Sequence, residues 1–175
     1  MRNYCKCLVS LLLIAFFACG EKTTKQQNVV SKSEMKNSME AANRYLLNEE
    51  EEDIANYIKR HGLEMISTGT GLRYQILKQG SEKRIEKGEK VTLEYELRSI
   101  AGDLIYSSDN NGVMSFVVGE GGVESGLEEA MAYLHRDDVA KLIIPYHLAY
   151  GLHGDDNLIP EYATLVYTIK IIDNQ

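Results

Sequence analysis

The link from Ala149 to Leu165 constrains this chain more than any other stretch. It reads Ala-Tyr-Gly-Leu-His-Gly-Asp-Asp-Asn-Leu-Ile-Pro-Glu-Tyr-Ala-Thr-Leu. It joins an apolar segment, Ala140–Ile144, to an alternating one, Thr164–Ile172, and both read as strands. Long links in compact domains are either functional or disordered. Tyr150, Leu152, Leu158 and Ile159 are too many large apolar side chains for disorder. The link is therefore expected to fold over a pocket and form part of its wall.

The rest of the chain supplies a sheet for that link to close on. Val91, Leu93, Tyr95 and Leu97 alternate with Thr92, Glu94, Glu96 and Arg98, the pattern of a half-buried antiparallel strand. Leu63–Ser67 and Leu72–Leu77 read as strands around the turn Thr68-Gly69-Thr70-Gly71. Leu104–Ser107 and Val113–Val118 follow, separated by Asn110-Asn111-Gly112. One interior helix is expected over Ser125–Leu134, with Leu127, Ala130, Met131 and Leu134 on one face. The order predicts an α+β fold, a bent antiparallel sheet wrapped on one short helix. Its natural site lies between the concave face of the sheet and that helix.

Ahead of this domain, residues 34–62 are helical in character. Ala41, Ala42, Tyr45 and Leu46 fall at helical spacing, and Ile54, Tyr57 and Ile58 repeat it. Asn48 followed by Glu51 resembles a capping box, which predicts a restart of the helix there. Glu49 to Asp53 would then form a charged, solvated first turn, and Gly62 would close the helix in a left-handed C′ position.

The start of the chain reads as an export signal over residues 1–18. Arg2 and Lys6 form a positive n-region, and Leu8–Phe17 form an apolar core too short for a permanent span. Ala18-Cys19-Gly20 looks like the cleavage box of bacterial lipoproteins, with Cys19 as the lipidated residue. Residues 19–33 then form a polar tether, and residues 63–175 form the globular domain. The expected place is the cell envelope, on the periplasmic side, with membrane contact through lipid at Cys19.

Composition removes several classes of function. A formal charge of −7 without any basic stripe argues against a nucleic-acid partner. All three cysteines, Cys5, Cys7 and Cys19, lie in the leader, so neither a disulfide scaffold nor a thiolate metal site is available to the domain. His61, His135, His147 and His153 match no standard ligand spacing, so no metal is expected. Gly119-Glu120-Gly121-Gly122 lacks the Lys-Ser/Thr of a P-loop, and no cofactor is expected. No Gly-x-Ser-x-Gly elbow occurs. What stands out is a set of phenols and aliphatics where strands, helix and link converge: Tyr95, Ile105, Tyr106, Phe116, Val123, Leu127, Tyr150, Leu158 and Tyr167. Such a pocket suits neutral, non-polar groups.

Six motifs carry a family resemblance over roughly Leu72 to Ile172. They are Val-Thr-Leu-Glu-Tyr (91–95), Gly-Asp-Leu-Ile-Tyr-Ser-Ser (102–108) and Phe-Val-Val-Gly-Glu (116–120). Val-Glu-Ser-Gly-Leu-Glu-Glu (123–129), Leu-Ala-Tyr-Gly-Leu-His-Gly (148–154) and Leu-Ile-Pro-Glu-Tyr-Ala-Thr-Leu (158–165) complete the set. In this order they resemble the FKBP-type peptidyl-prolyl isomerases. The leader, the helical extension and Ile105 to Ser108 most resemble the membrane-anchored FKBP-like lipoproteins associated with gliding motility.

The resemblance implies an FKBP-like fold and rotation about Xaa-Pro bonds in exported proteins. It implies that Tyr150 offers its hydroxyl to a substrate carbonyl and that the backbone N–H of Glu124 is a second donor. Tyr95 and Phe116 complete the catalytic set. Ile105, Tyr106, Val123, Leu127, Leu158, Ile159 and Tyr167 are the implied substrate-binding residues. Three positions depart from the family pattern: Leu127 stands for a tryptophan, Tyr106 for an aspartate and Ile105 for a phenylalanine. These departures imply reduced turnover, and they keep open a second reading, a chaperone or structural binding module of the same fold.

Overall fold

The computed structural model describes residues 31–172. The leader expected over residues 1–18, the lipidation expected at Cys19 and most of the expected tether lie outside the described residues. The chain divides into two units, residues 1–40 and 41–175. The described part of the first is the start of helix α1 (Lys32–His61). Ser31 caps it: its Oγ accepts from Glu34 N at 3.2 Å, and its own N–H donates to Glu34 Oε2 at 2.9 Å. That reciprocal pair is a capping box of the Ser-x-x-Glu type.

The sequence signal at Asn48 and Glu51 is corrected here. Helix α1 runs through both residues without a break, and the box that starts it lies at Ser31 and Glu34. Its end matches expectation. Gly62 adopts φ 61°, and the bonds Gly62 N to Lys59 O and Leu63 N to Ile58 O close the last turn.

The second unit is built on one seven-stranded antiparallel sheet. Its strands are β1 (Ile66–Ser67), β2 (Arg73–Lys78), β3 (Lys90–Ser99), β4 (Leu104–Ser107), β5 (Met114–Val117), β6 (Val139–Ile144) and β7 (Leu165–Ile172). The order across the sheet is β1-β2-β6-β7-β3-β4. β3 is long enough for two partners on its outer edge: β4 opposite Glu96 to Arg98, and β5 opposite Lys90 to Leu93. Between them the turn expected around Asn110 is a short helix, α2 (Ser108–Asn111). The first expected strand shrinks to two residues. The interior helix α3 keeps Ser125–Ala130 as regular helix.

Period-two burial separates two faces. Val91, Leu93 and Leu97 of β3, Leu142 and Ile144 of β6, and Leu165, Tyr167, Ile169 and Ile171 of β7 face the main core. Leu127, Ala130, Met131 and Leu134 enter the same core from α3 and the turn after it. Gly126 permits the close approach, because a Cβ there would lie 2.4 Å from Ile144 Cγ2. On the opposite face, Ile143 and Val166 pack with Ile54 and Tyr57 of α1. The last turns of α1, around Ile54, Tyr57 and Ile58, therefore cover the outer face of the sheet, as their apolar spacing implies.

The acidic run of α1 is more than a solvated turn. Glu50 Oε1 accepts from Tyr146 N at 2.8 Å and from Thr164 Oγ1 at 2.6 Å. Tyr146 precedes the Ala149–Leu165 link and Thr164 lies near its end, so one carboxylate ties both ends of the link to α1. Glu51 pairs with Arg73 of β2. No described helix is long and apolar enough to cross a membrane.

Candidate active site

The link forms a lid held by its own backbone and by one carboxylate. Asp155 Oδ1 accepts from Asn157 N at 3.0 Å and from Ile159 N at 2.7 Å, an Asx-type turn extended by one bond. Asp155 N returns a bond to Ile159 O, and Tyr162 N donates to Gly151 O. The turn needs glycine at 154: φ is +71°, and a Cβ there would lie 2.1 Å from Ile159 O.

Beneath the lid lies a cleft of about 300 Å³. β3 contributes Tyr95 and Leu97, β4 Tyr106, and β7 Tyr167. Asn111 of α2, Met114 of β5, and Tyr150 and Asp155 of the lid complete the lining. The rings of Tyr95 and Tyr167 meet at 6.2 Å between centroids with a 49° tilt. Tyr167 is almost wholly buried, and its hydroxyl donates to Glu124 Oε1 at 2.6 Å. Tyr106 donates to Asp155 Oδ2 and accepts from Asn157 Nδ2 at 2.9 Å.

These neighbours set the phenol chemistry. Burial pushes the Tyr150 hydroxyl far up, and the charge of Glu124, a hydrogen bond to it and Asp155 add to the shift. Burial, then Glu124, does the same for Tyr167 and, less strongly, for Tyr95. The hydrogen bond to Asp155, with burial, raises Tyr106. All four phenols are neutral across the physiological range. The cleft therefore offers fixed dipoles and ring faces, not a group poised for proton transfer.

Burial works against the Asp155 charge, but bonds from Tyr106, Ile159 and Asn157 outweigh it and hold its pKa below the usual value. A carboxyl depressed in the folded state stabilises it above the unfolded pKa of about 3.9, and this is lost as pH falls through the folded value. The raised phenols stabilise the fold below their unfolded pKa of about 10, and this is lost as pH rises beyond it. Lid order, read by amide hydrogen exchange at Ile159, is expected to be flat from about pH 5 to 9. It should fall below about pH 4. A midpoint near neutrality would contradict these assignments.

Four of the expected residues, Tyr95, Tyr106, Tyr150 and Tyr167, converge on the cleft. Glu124, a 7% exposed residue, does not line the cleft itself, but its carboxylate accepts the hydroxyl of Tyr167, which does. The expected part of Glu124 was a backbone N–H, so the side chain was missed. Phe116 and Leu127 are buried in the main core and do not line the cleft. Met114, two residues earlier on the same strand face, stands at the wall where Phe116 was expected. Val123 packs against the core edge, and Ile159 is buried beneath the lid. Leu158 is 57% exposed at the surface of the lid. Ile105 faces a separate apolar cleft shared with Leu46 of α1 and Tyr162 of the lid.

Asp155 was also missed as a site residue, since two adjacent acids gave no reason to converge. It changes the meaning of Tyr106. At the strand position where the resemblance implies an aspartate, the Tyr106 hydroxyl donates to the Asp155 carboxylate of the lid.

Comparison with known proteins was made on sequence and on fold. The family model for FKBP-type peptidyl-prolyl cis-trans isomerases matches residues 81–172. A probable FKBP-type peptidyl-prolyl cis-trans isomerase, FkpA, of Neisseria meningitidis serogroup B is 37% identical over 107 residues, 61% of this chain and 39% of that protein. The FK506-binding protein of the same organism is 30% identical over 103 residues, 58% of this chain and 94% of the relative. FkpA of Buchnera aphidicola is 34% identical over 109 residues, 62% of this chain and 42% of the relative. The matched region thus spans about two-fifths of the FkpA relatives. Among solved structures, AtFKBP13 superposes with a TM-score of 0.61 at 25% identity, over 65% of this chain and 100% of its own. FkpA from Escherichia coli gives 0.60 at 24% identity, over 96% of this chain and 80% of its own, a likeness of fold.

Proposed function

This chain belongs to the FKBP-type peptidyl-prolyl cis-trans isomerase family, and from that premise we propose that it accelerates rotation about Xaa-Pro bonds in exported proteins. The observation that carries the reading is the convergence of Tyr95, Tyr106, Tyr150 and Tyr167 under the lid. The barrier to rotation is ~18–20 kcal/mol, and it arises from the planar, charge-separated amide. A cleft of ring faces disfavours that charge separation and so favours the twisted amide. Neutral phenols suit a reaction without proton transfer or a covalent step. NMR exchange on an Xaa-Pro peptide tests the reading, with cis–trans exchange expected well above the spontaneous rate of one event in tens of seconds or more.

A second reading is a binding module or chaperone of the same fold with little turnover. It is favoured by Leu127, which stands in the main core at the position where the resemblance implies a tryptophan of the pocket. Binding of the peptide without faster exchange would select it.

The proposal extends to location. A leader with Arg2, Lys6, an apolar core and Ala18-Cys19-Gly20 supports lipid attachment at Cys19 and anchoring in the cell envelope. Cys19→Ala is expected to move the protein from the membrane fraction to the soluble one and to change its electrophoretic mobility. Unchanged fractionation and size would overturn the anchor. A part in gliding motility rests on the leader, the helical extension and the Ile105–Ser108 resemblance alone, and the client proteins are proposed only as proline-containing exported chains.

A further inference from the structure

In a cleft for a neutral prolyl segment, a carboxylate buried beside the phenols is unexpected. Glu124 is 7% exposed and stands directly before α3, and its Oε1 accepts the Tyr167 hydroxyl at 2.6 Å. Burial, and then the charge of the same carboxylate, pushes the Tyr150 hydroxyl up. Within the same cleft lining Asp155 accepts the Tyr106 hydroxyl.

A phenol has one proton to donate and lone pairs with which to accept. Once Tyr167 and Tyr106 have given their protons to carboxylates, their oxygens can only accept. Ring faces of tyrosine also attract cations through the negative face of the quadrupole. Among the described residues lining the cleft there is no lysine, arginine or histidine to cancel this polarity. The ligand complementary to such a wall carries N–H donors and a positive charge.

We propose that Glu124 makes the cleft selective for prolyl segments with a basic residue, lysine or arginine, next to the proline. The inference rests on the isomerase reading and names the substrate class of the same site. Glu124 acts by setting which way the phenol protons point and by supplying negative charge behind them. An apolar neighbour gains from the ring faces but leaves the charge unanswered. An acidic neighbour is repelled.

The full chain is assayed for isomerisation of a peptide series that differs only in the residue before proline: lysine, arginine, leucine and glutamate. Binding of the same peptides is titrated in parallel. Lysine and arginine are expected to exceed leucine by about tenfold in kcat/KM and in affinity, with glutamate lowest. Glu124→Gln keeps the shape and an acceptor for Tyr167 while removing the charge, and it should bring the lysine-to-leucine ratio to within about twofold of unity. A wild-type ratio at or below one overturns the proposal whether or not the variant folds. An unchanged ratio in a folded Glu124→Gln protein overturns it too. Absence of catalysis for every peptide defeats the isomerase reading instead, and the titration then still decides the charge preference.

Discussion

Asp138→Ala is expected to lower the free energy of unfolding by about 3–5 kcal/mol. The Asp138 carboxylate is wholly buried, with one oxygen accepting from Gly80 N and the other from His135 N, each at 2.7 Å. Removing it leaves two N–H groups without their acceptor, each costing about 1–3 kcal/mol. Space for a replacing water is small on the connector side, since a Cβ at Gly80 would lie 2.2 Å from Arg136 O. The cost extends beyond the turn, because Asp138 O also accepts from Ile171 N of β7. Urea denaturation at constant m-value reads the effect. Asp138→Asn, with one acceptor oxygen but an NH₂ facing an N–H, should fall between the two. A loss under about 1 kcal/mol for the alanine variant would show that solvent reaches both donors.

The second large effect concerns turnover. Tyr150→Ala is expected to reduce kcat/KM on an Xaa-Pro peptide by about 10–100-fold, which corresponds to about 1.4–2.7 kcal/mol of transition-state stabilisation. The ring is part of the lid's contribution to the cleft, which Tyr95 and Tyr167 also line. Its loss opens the site to water on the face where the amide must be desolvated. Stability should change by about 1 kcal/mol or less, because Tyr150 is partly exposed on the lid rather than seated in the core. Tyr150→Phe separates ring from hydroxyl. With the ring retained as part of the cleft lining, phenylalanine is expected to cost less than about tenfold. A larger loss would mean that the hydroxyl turns to the substrate carbonyl, as the family resemblance implied.

The lid was legible in the sequence because Tyr150 and Ile159 are too apolar for a free connector, and the structure buries Ile159 beneath it. β3 was legible for the same kind of reason: Val91, Leu93 and Leu97 keep strict period two and all face the core. Depth along a strand face was not legible. Met114 and Phe116 share a face, and alternation alone cannot say that the first reaches the cleft while the second is buried in the core. Contacts distant in sequence were equally hidden. Glu50 lies 96 residues from Tyr146 and 114 from Thr164, so its hold on the lid has no local signature. Asp155 was hidden as well, since two adjacent acids carry no sign of the Asx bonds to Asn157 and Ile159 that fix it in the lid. The helix break expected at Asn48 failed because a capping motif acts only where the chain leaves the helix, and here the helical face continues from Leu46 toward Ile54 and Tyr57.

The account's central claim is that the phenol-lined cleft accelerates prolyl rotation, and magnetisation-exchange NMR on one Xaa-Pro peptide tests it most directly. With wild-type protein at catalytic concentration, cis–trans exchange is expected to move from tens of seconds to below about one second. The same concentration of Tyr150→Ala should leave it at least about tenfold slower than wild type. Exchange that stays at the uncatalysed rate with wild-type protein, or that is equally fast with the folded variant, would contradict the claim.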